Sequence, residues 1–323
     1  MGQILDFVME QWYYLLLSAG IVAVLQYMVW QVVKPVQPTR HKSSGRKGKR
    51  AGRDREDEQG EGSGAAREDG IGLGAAQDMG DREQQEDAWG FAAEEGRADE
   101  KGVLAVLADG MGGLADGDCI SRFAVTEAQA VYEGLMDGEE VSEGLSDILS
   151  EINRQAALAF NKGKGRAKAG TTLILAHVYR GRLYWAAAGD SRLYVLRDGY
   201  LCRMTEDHIY LNERYLRCLK EGSPKETAEA DSRAGLLVSY IGQSPLKKTD
   251  VSRRGFPLAE GDRILLCSDG VYRSLEEEEL AVLASRGTAD SACRRIVREV
   301  KNKKFKGQDN MTVLMITYEG ETV

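Results

Sequence analysis

The sequence predicts an α+β domain in which antiparallel hairpins are covered by helices. Two observations carry this. Apolar runs of strand length recur beside segments whose apolar residues have helical spacing. Arg180-Gly181 and Asp198-Gly199 each join two such runs at hairpin distance. Tight hairpins build antiparallel sheets, and helices must cover their apolar faces. A third observation bears on chemistry: acidic residues cluster at the ends of the predicted strands.

In chain order, residues 11–33 come first, and they carry no charge. Most are apolar, and Trp12, Tyr13, Tyr14, Tyr27 and Trp30 lie toward the two ends. The run is long enough to cross a bilayer as a helix, with aromatics at the interfaces. A buried helix of a soluble domain is a second reading. A cleaved signal peptide fits poorly, because Asp6 and Glu10 precede the run and no small-x-small site follows it. The expectation is a membrane anchor at 1–33, spanning the cell membrane once. Residues 34–55 hold nine Lys/Arg and one Asp. By the positive-inside rule this flank places the C-terminal side of the span in the cytoplasm. A basic flank beside the membrane is also compatible with contact to anionic headgroups. Residues 34–66 are nearly free of apolar side chains and read as a linker that cannot fold alone.

Residues 67–323 read as one catalytic domain. Strands are predicted at 71–76, 88–93 and 103–108, and helices at 120–135 and 145–161. Further strands are predicted at 172–179, 182–188, 193–197 and 200–204. Residues 206–250 have no clear period. A strand at 262–267, helices at 275–284 and 289–301, and a strand at 311–318 complete the pattern. The whole chain has 323 residues, 42% apolar and 29% charged, which allows a full core. Residues 56–323 carry 34 basic and 48 acidic residues, and so acidic a body argues against nucleic acid as a partner. The five cysteines, Cys119, Cys202, Cys218, Cys267 and Cys293, form no C-x-x-C pair and read as reduced thiols.

The acids lie in defined settings. The run 103–108 ends in Asp109-Gly-Met-Gly-Gly, a carboxylate at a strand tip followed by a turn that bares a carbonyl, and both suit a hard cation. The run 264–267 leads to Ser268-Asp269-Gly270. Glu86-Asp87 and Asp309-Asn310 each sit directly before a strand.

With Arg82-Glu-Gln-Gln-Glu86-Asp87, Gly170-Thr-Thr172, Gly189-Asp190-Ser-Arg192 and Gln308-Asp309-Asn310-Met-Thr312, these motifs resemble, in order, those of the PP2C-class metal-dependent serine/threonine phosphatases in their bacterial form. The resemblance covers roughly residues 68–319. It implies two packed antiparallel β-sheets flanked by helices, an α-β-β-α sandwich, here preceded by one transmembrane helix. It implies two Mn²⁺ or Mg²⁺ per active site, with a third, weaker site. It implies hydrolysis of phosphoserine and phosphothreonine in proteins, the targets of a serine/threonine kinase, by direct attack of a water bridging the metals. Asp109 would bridge both ions, Asp269 and Asp309 would hold the first, and Glu86 and the Gly110 carbonyl the second. Asp87 would act through metal-bound water and Arg82 would clamp phosphate. Asp190 stays open between the third ion and a turn cap. Thr171 and Thr172 read as structural support.

Two positions depart from the family pattern. Gln85 stands where Asn is usual, and Met111 where the eukaryotic form has His, so that side-chain acid is missing. His208, in a region expected to be mobile, is the substitute to test; a local structural role is the other reading. Residues 161–172 lack the G-x-x-x-x-G-K-[ST] spacing of a nucleotide loop. A catalytically silent, membrane-anchored phosphoprotein-binding module is the alternative function. It fits less well, because such relatives lose metal acids and this chain keeps Glu86, Asp87, Asp109, Asp269 and Asp309. A phosphatase of small phosphoesters is a third possibility.

Overall fold

The computed structural model describes residues 70–93, 102–111, 116–132, 141–161 and 169–320. The expected span and linker lie outside the described residues. Among those described, no helix is long and apolar enough to cross a membrane.

The strands are β1 (Ile71–Asp78), β2 (Asp87–Ala92), β3 (Val103–Asp109), β4 (Leu173–Tyr179), β5 (Arg182–Ala188), β6 (Arg192–Arg197), β7 (Tyr200–Arg203), β8 (Asp250–Val251), β9 (Phe256–Pro257), β10 (Arg263–Cys267) and β11 (Met311–Tyr318). The helices are α1 (Gly117–Val131), α2 (Val141–Phe160), α3 (Tyr210–Glu221), α4 (Glu226–Glu229), α5 (Asp269–Tyr272), α6 (Glu277–Ala284) and α7 (Ala289–Asn302). One sheet runs β1-β11-β10-β6-β7; the other runs β2-β3-β4-β5-β8, with β9 also paired to β5. The pairings are antiparallel, as the hairpin signals require. At both predicted hairpins the two central residues have positive φ: 46° and 63° at Arg180-Gly181, 50° and 83° at Asp198-Gly199. That backbone matches the right-handed twist of the strands it joins.

The strands are apolar on both faces because each face meets a different core. Along β3, Leu104, Val106 and Ala108 face α1 and α2, while Val103, Ala105 and Leu107 face the other sheet. Along β11, Met311, Val313 and Met315 face α6 and α7, while Leu314 and Ile316 face the first core's sheet. Three cores between four layers form the expected α-β-β-α sandwich. α7 presents Ala289, Ala292, Cys293, Ile296, Val297 and Val300 to its core, a stripe at helical spacing. Its N-terminus is capped by Thr288, whose hydroxyl accepts from the Ser291 amide at 3.2 Å.

Candidate active site

Two strand ends from each sheet bring the acids together. In the register of β2 and β3, Asp87 stands opposite Asp109. From the other sheet, the Ser268 and Thr312 hydroxyls both donate to Asp87 Oδ2, at 2.8 and 2.7 Å. The Thr312 amide in turn donates to Ser268 Oγ at 3.0 Å. The Glu86 amide donates to Asn310 Oδ1 at 2.8 Å. These bonds cross between the sheets at the end where β2, β10 and β11 carry their acids.

The Asp109 turn is held from three sides. Its amide donates to Thr172 Oγ1 at 2.9 Å, and the Thr172 amide donates to its carbonyl at 2.8 Å. Thr172 Oγ1 also lies 2.7 Å from Ser191 Oγ, so its structural role is as expected. The Gly110 amide donates to the Glu86 carbonyl at 3.1 Å. A Cβ at Gly110 would lie 2.3 Å from the Gly117 carbonyl oxygen and 2.7 Å from that of Glu86. Only glycine lets the three segments approach this closely.

Arg82 lies on Asp309, with Nη2 2.6 Å from Oδ2. Asp269 is met by Arg273 at 3.0 Å, and the same guanidinium lies 3.5 Å from Asp190. Asp190 is buried, and its Oδ2 also accepts from the Tyr272 hydroxyl at 3.2 Å.

The electrostatics are those of crowded carboxylates. Burial pushes Asp87 up to about 6. It pushes Asp269 to about 7 against the pull of Arg273, with Asp190, Asp309 and Asp87 adding repulsion. Asp109 is raised well above the usual range by burial, then by Asp87, Asp269, Asp190 and Asp309. Burial also raises Glu86 and Asp190. Such a cluster calls for cations. Its donors are carboxylates and the Gly110 carbonyl, a set that suits Mg²⁺ or Mn²⁺. Among the described residues no three Asp, Glu, His or Cys side chains stand as a finished cage. Three of the acids, Asp309, Asp269 and Asp190, are met by arginines instead.

Several organising residues escape sequence reasoning. Asn310 also donates to the Met79 and Gln84 carbonyls, at 2.9 and 3.0 Å. Its motif is visible in the sequence, but only the neighbouring acid has a readable role there. Ser268, Thr312, Tyr272 and Arg273 act through contacts that no spacing announces. Gln85 spans its position well: Oε1 accepts from the Asp87 amide at 3.0 Å and Nε2 donates to the Asp78 carbonyl at 3.2 Å.

His208 differs from expectation. It is buried, not placed on a mobile flap. Its amide donates to the Gly189 carbonyl at 2.9 Å, and its Nδ1 accepts from the Gly189 amide at 3.2 Å. Burial, and then Lys248, lowers its pKa. This is a structural imidazole beside the Asp190 turn.

Residues 79–307 match the family described as protein phosphatase 2C. The serine/threonine phosphatase stp of Listeria innocua is 30% identical over 222 residues, 67% of this chain and 85% of the relative. Protein phosphatase PhpP of Streptococcus pneumoniae is 29% identical over 223 residues, 68% of this chain and 87% of the relative. Among solved structures, serine/threonine phosphatase Stp1 of Staphylococcus aureus shares the fold, with a TM-score of 0.66 at 24% identity over 80% of this chain and 100% of that one. The PPM Ser-Thr phosphatase MsPP of Mycobacterium smegmatis, solved in complex with cacodylate, has a TM-score of 0.60 at 27% identity over 76% of this chain and 97% of that one. The acid-bearing strand ends thus sit on a fold and in a sequence shared with phosphatases over most of their length, and the chain belongs to the protein phosphatase 2C family of metal-dependent serine/threonine protein phosphatases.

Proposed function

We propose that the enzyme is tethered to the membrane by residues 11–33 and works on cytoplasmic phosphoproteins, the targets of a serine/threonine kinase, through two Mn²⁺ or Mg²⁺ ions. Asp109 would serve both ions, Asp269 and Asp309 would hold the first, and Glu86 with the Gly110 carbonyl would hold the second. The supporting observation is the pair of ties between the sheets, Glu86 to Asn310 and Asp87 to Ser268 and Thr312. They fix carboxylates from distant segments at one place.

Cations held there would supply charge neutralisation for phosphate and a water of lowered pKa as nucleophile. The protein's residues do the rest. The Gly110 turn and Thr172 fix the backbone on both sides of Asp109, so its carboxylate is placed before substrate arrives. Asp87 commits Oδ2 to two hydroxyls, and a proton it carries therefore resides on Oδ1. The carboxylate so fixed would orient water at the site. Arg82, half exposed at the mouth, exchanges Asp309 for phosphate oxygens, to which a guanidinium fork is matched. Met111 offers no proton, and His208 is buried with its Nδ1 engaged by the Gly189 amide, so water would supply the proton to the departing alkoxide.

The uncharged run at 11–33 and the nine basic residues after it support the tether. Two measurements test the proposal. Mn²⁺-dependent release of phosphate from phosphoserine and phosphothreonine peptides should vanish with chelator. Protease added to intact cells should spare the domain, and carbonate washing should leave it in membranes. Digestion from outside, or release by the wash, refutes the tether.

A further inference from the structure

Arg273 is the charged side chain that the family motifs do not mention. It lies four residues beyond Asp269, just past the short helix α5. Its Nη2 lies 3.0 Å from Asp269 Oδ2 and 3.5 Å from Asp190 Oδ2. One guanidinium thus bridges two carboxylates from separate segments, the start of α5 and the turn between β5 and β6. Its own side chain is more than half exposed, while its neighbours are tied to the same acids. The Tyr272 hydroxyl donates to Asp190 at 3.2 Å. The Tyr272 ring lies under Arg192, whose guanidinium carbon is 3.6 Å from the ring centre. Arg192 is itself committed to Asp207, at 3.1 and 2.8 Å. Arg273 is therefore the cation left to answer Asp190 among the described ion pairs.

We propose that Arg273 is a built-in cation that takes the place of a further metal ion between Asp190 and Asp269. Asp190 anchors the arginine and ligates no metal, and the site holds one ion fewer than its carboxylates could. The inference rests on the reading of the acid cluster as a two-metal centre. The physical grounds are three. Two carboxylates that meet one guanidinium, Asp190 buried and Asp269 mostly so, are stabilised by positive charge between them. A guanidinium is charged at every working pH and carries donors enough for both. A divalent ion entering the same place would meet that charge, and would have to break both of its ion pairs to displace it.

The test counts ions. The full chain is stripped of metal and titrated with Mn²⁺, and free Mn²⁺ is read by electron paramagnetic resonance. Asp190→Asn should leave the number of bound ions at the parent's value. Arg273→Gln should raise it by one, and the added ion should be lost again in the Arg273→Gln, Asp190→Asn double variant. Arg273→Lys, which keeps the charge, should stay at the parent's value. A count that falls with Asp190→Asn, or that does not rise with Arg273→Gln, overturns the proposal. Should the Gln variant fail to fold, the single Asn and Lys variants decide: an ion lost in the first or gained in the second overturns it. A parent that binds no Mn²⁺ at all refutes the metal-centre reading instead, so the two failures are told apart.

Discussion

Asn310→Ala removes a side chain that joins the loop carrying Arg82 and Glu86 to the start of β11. The residue is buried and makes three hydrogen bonds, to the Glu86 amide at 2.8 Å and to the Met79 and Gln84 carbonyls at 2.9 and 3.0 Å. A buried hydrogen bond contributes about 1 kcal/mol net. Three of them make a loss of about 3 kcal/mol, or about 150-fold in the folding constant. In a domain of this size that lowers Tm by about 6–12 °C. The Glu86 backbone also loses its anchor, so Mn²⁺ affinity should fall as stability falls. Asn310→Asp is the informative companion. It keeps the acceptor for the Glu86 amide, but turns a carboxylate oxygen toward two carbonyls and adds a charge beside Asp309. It should be at least as damaging. Urea unfolding with and without Mn²⁺, together with Mn²⁺ titration, measures both effects. A stability loss under about 1 kcal/mol with parental Mn²⁺ affinity refutes the reasoning. The loop would then be held by its other ties, the Asp81 amide to the Gln308 carbonyl at 2.9 Å and the Gly80 amide to Asp78 Oδ1 at 3.0 Å.

Asp109→Asn should abolish Mn²⁺-dependent turnover, since one carboxylate serves both ions; near-parental kcat at saturating Mn²⁺ would contradict its role. His208→Ala should keep kcat on a phosphothreonine peptide within about tenfold of the parent, whereas loss of a general acid costs roughly 10²–10⁴. A drop beyond about a hundredfold in a folded variant with parental metal affinity would make His208 the acid. The raised carboxylates set the pH dependence of the metal-free protein. Asp87 and Asp269 rise from 3.8 to about 6 and about 7 in the folded state. The folded state therefore binds protons more tightly than the unfolded one. Their favourable contribution is complete below 3.8 and is lost as pH climbs through about 6 and 7. Tm of the metal-free chain should be lower at pH 8 than at pH 5, and Mn²⁺ should raise it more at pH 8. A metal-free Tm that rises over this interval would count against the buried acid cluster.

What sequence makes legible here, and what it hides, has a physical cause. The strands show because β3, β4, β10 and β11 are mostly apolar. That same character hides their faces: Leu104 and Ala105 serve different cores yet look alike in the sequence. The sandwich therefore comes from the resemblance, not from periodicity. α3 is invisible for the opposite reason. Its inward stripe, Leu211, Arg214, Tyr215 and Cys218, is only half-buried apart from Cys218 and includes a charge, while Leu216 and Leu219 are exposed, so the apolar pattern is blurred. The acids at the site are legible because Asp-Gly at a strand end is a local pattern. Their supports are not, because Asn310 meets Glu86 across 224 positions and Ser268 meets Asp87 across 181. Arg273 marks the limit most clearly. Four residues after Asp269, it resembles any helical ion pair. Its reach to Asp190, in the turn between β5 and β6, is what the proposal uses to decide whether that carboxylate faces a metal or a guanidinium. The two outcomes need the same acid at the same place in the sequence, and only the third dimension separates them.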